Sequence, residues 1–169
     1  RPATRAVQPP RKGNQSSIAP GAGPPGLPLK ARVVAAARAL GPEVIDFGTD
    51  SVAPVDFPDI TPTTCGAVLR GEAERAILVC GTGAGAIMAA NKIPGIRCGL
   101  ANEPYSAHQA VEHDQANVIA LGSWLVPPAF VDDIVASFLA ATFDDDEDTR
   151  RRVSKLNAMD YLLPEQPKL

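Results

Sequence analysis

"ILVCGTGAGAIMAANK", residues 77–92, decides how this chain is read. An apolar run ends in Cys80, a glycine-rich turn follows at once, and a helix-like stretch of small residues follows the turn. Such a turn leaves successive backbone N–H groups free to bind an anion, whether phosphate, carboxylate or a developing oxyanion. The same field favours a cysteine thiolate at its mouth. A thiolate beside an oxyanion hole can remove a carbon-bound proton or attack a carbonyl. Two other readings stand beside this one. Cysteine ends many buried strands simply as a small apolar residue. Gly81-x-Gly83-x-x-Ala86 also matches a relaxed dinucleotide fingerprint, with Glu103 about where its ribose-binding acid would fall. That turn, however, follows a middle strand, with little chain left for a second mononucleotide half.

Outward from the turn, strand and helix patterns alternate. "RAILVC" (75–80) is a buried strand and "GAIMAANK" (85–92) the helix that the turn opens. "GIRCGLA" (95–101) reads as a strand, "PYSAHQAVEHD" (104–114) as a helix and "NVIALG" (117–122) as a strand. Upstream, "LKARVVAAARAL" (29–40) is helical and stops at Gly41-Pro42, and "EVIDFG" (43–48) is a strand. "TTCGAVLRG" (63–71) predicts a short helix entered at Pro62. "PAFVDDIVASFLAATF" (128–143) is an amphipathic helix, and a second follows near 149–160. This alternation predicts an α/β fold, a doubly wound parallel sheet whose ligands bind at the carboxyl ends of the strands. Cys80, the glycine turn and Asn102-Glu103 all fall at such ends.

Composition narrows the class. A net charge of −3 gives no reason to expect nucleic acid or an anionic membrane surface. No apolar run approaches the ~18 residues of a membrane span. The start lacks the apolar core of a signal peptide, and three cysteines make an odd set without framework spacing, so a cytoplasmic protein with free thiols is expected. Seven Lys and Arg precede the first acid, Glu43, and seven of 17 prolines lie within residues 1–28. Residues 1–15 are therefore expected to be a flexible basic arm, either a solvated tail or a nucleic-acid-binding arm. In "FDDDEDTRRRVSKL" (143–156) acids precede bases, which suits the start and body of a last helix.

The longer strings "EVIDFGTDS", "VDFPD", "CGTGAG", "AANKIPGIR", "EPYSA" and "EHDQANVIALG", with "IAPGAGPPGLPLK" (18–30) upstream, resemble the ribose-5-phosphate isomerase B family. That family also includes the LacA and LacB galactose-6-phosphate isomerase subunits. The resemblance implies a single isomerase domain over about residues 16–160, with a tail at 161–169. It implies a flavodoxin/Rossmann-like five-stranded parallel sheet, and a homodimer or tetramer with sites shared between subunits. The implied reaction is interconversion of aldose and ketose phosphates through an enediolate, with no metal and no cofactor. The family's proton-abstracting cysteine falls on Cys80. Its enediolate-stabilising turn falls on Gly81, Thr82, Gly83 and Gly85, and its ring-opening histidine on His113. Histidine suits an acid–base role at a ring oxygen because it titrates near neutral pH. His108 has no such match and reads as a surface residue.

Several positions depart from the family pattern. Gly23-Pro24 replaces an Asp-His pair after the first strand, and neither has a side chain able to donate or accept a hydrogen bond. Trp124 replaces the arginine of "GSR", a phosphate contact from the partner subunit in some members. Asp114 replaces the asparagine after the ring-opening histidine, and Phe57 replaces the tyrosine of "DYP". Of two phosphate-binding arginines near the C-terminus, the second matches Arg152 and the first falls on Asp148. Three explanations fit: a different sugar or sugar phosphate, a low-activity subunit that works with a partner, or a degenerate first strand.

Overall fold

Five strands and six α-helices alternate through residues 17–48 and 56–162, the parts of the chain that the computed structural model describes. The expected basic arm lies outside the described residues. The elements are β1 (Ser17–Ala22), α1 (Leu27–Ala39), β2 (Glu43–Val44), α2 (Phe57–Leu69), β3 (Arg75–Cys80) and α3 (Ala84–Ala90). They continue with β4 (Cys98–Leu100), α4 (Pro104–Asp114), β5 (Val118–Gly122), α5 (Val131–Ala140) and α6 (Glu147–Ala158). All strand pairs are parallel, in the order β2-β1-β3-β5-β4. This is the α/β sheet expected from the sequence. Compared with the flavodoxin order 2-1-3-4-5, the last two strands are exchanged. The exchange matters for the site, because it sets Gly122 of β5 directly beside Cys80 of β3.

The strands are buried on both faces, and the face each residue joins alternates with the two-residue period of a strand. Ile18, Ala22, Ile77, Val79, Ile119 and Leu121 join one core cluster with residues of α1, α4 and α5. Ala19, Ala76, Leu78, Val118 and Ala120 face the other way and pack with residues of α2 and α3. Phe138, Ile134, Val131 and Val135 of α5 are fully buried on the first face, each contributing roughly 1.5–3 kcal/mol of burial. Arg75, at the start of β3, ties α5 down: its guanidinium donates to the carbonyls of Phe138 and Ala141 and lies over the Phe138 ring, 5.2 Å from its centre. Lys30 on α1 is buried against Asp46, just beyond β2, at 3.0 Å.

Two sequence expectations shift. The helix expected at 63–71 begins at Phe57, and Pro62 lies inside it rather than at its entry. Pro58 occupies the position near the N-terminus where a missing N–H costs nothing. Pro62 forfeits one intrahelical bond, while Thr61 and Thr64 return hydroxyl bonds to Phe57 and Ile60 carbonyls. The strand expected at 43–48 is assigned only to Glu43–Val44, but Ile45 and Phe47 continue the ladder by donating to Ile18 and Pro20. No helix of the described residues is long and apolar enough to cross a membrane.

Candidate active site

The chain lays β2 on one side of β1, then crosses to the other side for β3, β5 and β4. The carboxyl ends of β1 and β3 therefore border a topological switch point, the crevice where such sheets bind ligands. From β1 comes the loop at Gly23–Gly26, closed by Gly26 N–H donating to Gly23 O at 2.9 Å. From β3 comes Cys80.

Cys80 shares the strand face of Ala76 and Leu78 and packs against the α2/α3 core, yet stays partly exposed. The chain turns immediately after it. The Gly83 N–H points back to the Cys80 sulfur, with N···Sγ 3.1 Å. Gly83 adopts φ +85°, a left-handed conformation that a residue with a Cβ takes only at a cost. The turn is held against β5: Ser123 N–H donates to Cys80 O at 2.8 Å, and Trp124 N–H to Gly81 O at 2.9 Å. Thr82 is exposed, and its Oγ1 accepts from Ala84 N–H at 3.3 Å. Asn102 Oδ1 accepts from Gly122 N–H at 2.8 Å, and Ser123 Oγ donates to Pro25 O at 2.7 Å, joining β4, β5 and the first loop around Cys80. Asn102 carried only a position signal in the sequence, and Ser123 carried none.

The other two cysteines are different in kind. Cys65 and Cys98 are buried in the α2/α3 core. Burial pushes the Cys65 thiol up to about 12, and burial, then the neighbouring Cys65, raises Cys98 as well. Both are held as neutral thiols, so Cys80 alone combines access with a hydrogen-bond donor at its sulfur.

Cys80, Gly81, Thr82, Gly83 and Gly85 thus come together, whereas His113, Asp114 and Arg152 do not join them. Helix α4 starts beside the site, two residues beyond Asn102, and runs away from it. His113 lies nine residues further on, roughly 14 Å along the axis. It is exposed, with Nε2 3.8 Å from Glu112 Oε2; the same carboxylate oxygen is 3.7 Å from His108 and accepts from Gln109 at 2.6 Å. Asp114 lines a groove of about 510 Å³ at that far edge, together with Arg97, Ala116, Leu156 and Asn157. Arg152 is on α6, exposed, 3.8 Å from Asp148. Asp148 also pairs with Arg151, and Arg150 pairs with Asp145 at 3.2 Å. Cys80 and its turn therefore stand at the carboxyl edge of the sheet, whereas His113 and Asp114 end α4 and Arg152 lies on α6.

Glu103, the candidate ribose ligand of the dinucleotide reading, is engaged otherwise. It caps α4, accepting from Tyr105 and Ser106 N–H groups at 2.6 Å each. A family model described as Ribose/Galactose Isomerase matches residues 18–156. The chain belongs to that family. Membership makes it a sugar isomerase, an enzyme that interconverts aldose and ketose. It is 41% identical to "Ribose-5-phosphate isomerase B" of Escherichia coli (strain K12) over 119 residues, 70% of this chain and 80% of that one. It is 35% identical to "D-erythrulose-4-phosphate isomerase" of Pectobacterium atrosepticum over 130 residues, 76% of this chain and 85% of the relative. The type B ribose 5-phosphate isomerase structure from Trypanosoma brucei superposes with a TM-score of 0.83 at 36% identity, covering 86% of this chain and 99% of that one. The family's fold is therefore the fold seen here.

Proposed function

We propose that this isomerase acts on a small sugar phosphate, of the ribose 5-phosphate/ribulose 5-phosphate type, and that Cys80 is its base. Starting from the aldose, the Cys80 thiolate takes the proton from C2, and the electrons of that C–H bond form a C1–C2 enediolate. The N–H groups of Gly81, Thr82 and Gly85 serve the oxygen on which negative charge develops, while that of Gly83 steadies the thiolate. A proton passes from O2 to O1 and Cys80 returns its proton to C1, giving the ketose. His113 opens the sugar ring beforehand by moving a proton at the ring oxygen. The observation that carries this reading is the Gly83 N–H held 3.1 Å from the sulfur of the one cysteine that is not buried. Both relatives named above carry sugar-phosphate isomerase names, one a pentose and one a tetrose phosphate.

Because His113, Asp114 and Arg152 stand at the edge away from Cys80, a complete site requires a second copy to bring its far edge to the first copy's turn. We therefore infer a homodimer, or a tetramer built from such dimers, working in the cytoplasm. A second reading, a weak subunit that depends on a different partner, is favoured by one feature: Asp148 stands at a phosphate-arginine position and pairs with Arg151 and Arg152.

The test is a screen of tetrose, pentose and hexose phosphates, and the free sugars, for isomerisation in D₂O with deuterium uptake at C2 as readout. Turnover and uptake on a sugar phosphate by the isolated chain support the first reading. Uptake on none, in a correctly assembled dimer, discards it for the second.

A further inference from the structure

We infer that Trp124 is a substrate-contact residue whose indole offers a stacking face to the carbon skeleton of the sugar, and so sets specificity at the Cys80 turn. The inference rests on the isomerase reading above and says how that site holds its substrate. Trp124 is the only tryptophan in the chain. Its backbone N–H is fixed to Gly81 O, and the adjacent Ser123 N–H to Cys80 O, so the residue is anchored along the start of the turn that follows Cys80. The six-membered ring lies directly over Gly81: a Cβ at that position would stand 2.8 Å from Cη2 and Cζ3. Only glycine lets the indole settle there. Yet Trp124 remains 72% exposed, so the ring covers Gly81 with one face and leaves most of its surface open beside Cys80.

The far end of the turn repeats the pattern. The Phe57 ring lies on Gly85, where a Cβ would meet Cζ at 2.9 Å, and Phe57 is itself 41% exposed. The turn that faces the reacting carbons is thus bordered by two uncharged rings. Small-molecule sites combine apolar and aromatic walls with a few placed polar groups, and here the turn supplies the polar groups. A sugar carbon chain has C–H faces that pack on an aromatic plane, whereas a phosphate dianion beside an indole finds at most one N–H donor and no countercharge. The substrate accordingly lies with its reacting carbons under the turn and a C–H face on Trp124, and carries its anionic group away from that ring. Substrate grip at this wall comes from contact area, not from charge.

The single tryptophan provides a direct assay. Cys80→Ser protein, which binds without turning over, is titrated with ribose 5-phosphate, erythrose 4-phosphate, free ribose and inorganic phosphate while Trp124 fluorescence is followed. Saturable change with the sugar phosphates, and none with inorganic phosphate, is expected. In otherwise unmodified protein, Trp124→Ala should raise KM about fivefold to tenfold with kcat changed less than twofold, and Trp124→Phe should recover most of the loss. Trp124→Arg should make KM newly dependent on salt. Unchanged fluorescence at concentrations that saturate turnover, or an unchanged KM in Trp124→Ala, would overturn the role of Trp124 while leaving the isomerase reading intact. Saturable fluorescence change without turnover of any sugar would instead retain Trp124 as a ligand contact and remove the isomerase reading.

Discussion

Gly83→Ala tests the turn at its most constrained point. The residue sits at φ +85°, where an added Cβ costs roughly 1–2 kcal/mol. That Cβ would also stand 2.4 Å from Leu100 Cδ1 and 3.3 Å from the Leu121 carbonyl carbon. The leucine side chain is partly exposed and can move; the β5 backbone cannot, so the turn must give by a few tenths of an ångström. Gly41→Ala is the matched control. Gly41 has φ +99° with open space around it, at the end of α1 and remote from Cys80 in the fold. We expect Gly41→Ala to cost about 1–2 kcal/mol and Gly83→Ala about 2–3 kcal/mol, a further fall in Tm of roughly 2–4 °C for a chain of this size. The two should part more sharply in activity. Displacing the Gly83 N–H from the Cys80 sulfur should lower kcat by roughly threefold to tenfold, since a misplacement of about 1 Å at a reacting group costs about 100-fold and this shift is a few tenths of that. Gly41→Ala should leave kcat unchanged. Differential scanning calorimetry and steady-state kinetics on the two variants decide the matter. Equal Tm losses with normal kcat in both would show that the N–H to sulfur contact has no part in the chemistry.

Three further outcomes follow from the same geometry. If each site joins one copy's Cys80 to another's His113, mixing inactive Cys80→Ser with inactive His113→Ala should restore roughly a quarter of the activity, since half of randomly paired dimers are mixed and each holds one intact site; no recovery after subunit exchange counts against a shared site. Alkylation at pH 8 should modify one cysteine of three in the native protein and all three in denaturant, with Cys80 the native target by mass spectrometry; rapid native labelling of Cys65 or Cys98 would contradict their burial. Because the folded Cys65 thiol is raised from 9.0 to about 12, the unfolded chain loses that proton first. Its contribution is therefore complete below pH 9 and is lost as pH rises toward 12. Denaturant midpoints should fall over that window, and less steeply in Cys65→Ala; an identical slope in the variant would remove Cys65 as the cause.

What could be read from the sequence was local. "RAILVC" and "NVIALG" are runs buried on both faces, so they announce themselves as interior strands, and a glycine turn directly after one of them marks Cys80. The span of α4, Pro104–Asp114, agrees with its sequence reading because Glu103 and the left-handed Gln115 close its two ends. What could not be read was pairing between distant segments. Nothing in "GIRCGLA" or "NVIALG" says that β5 lies between β3 and β4, and that exchange is what brings Trp124 onto Gly81. Two prolines, Pro58 and Pro62, obscure the start of α2: local rules favour the second as the entry, but the fold tolerates it inside the helix. The separation of His113 from Cys80 follows from the direction of α4 once the strand end that precedes it is known. The pairing of Arg151 and Arg152 with Asp148 is a matter of side-chain reach along α6, and the acidic run before these arginines only hinted at it.

The central claim is that Cys80 removes the C2 proton. It is tested most directly by deuterium incorporation at C2 during turnover of whichever sugar phosphate the unmodified enzyme accepts, measured side by side with Cys80→Ser. Incorporation and isomerisation should fall together by far more than tenfold in the variant, with Tm within about 2 °C of the parent, less than ~1 kcal/mol of stability. Retention of more than about a tenth of the rate, a loss of less than ~1.4 kcal/mol in transition-state stabilisation, would contradict it.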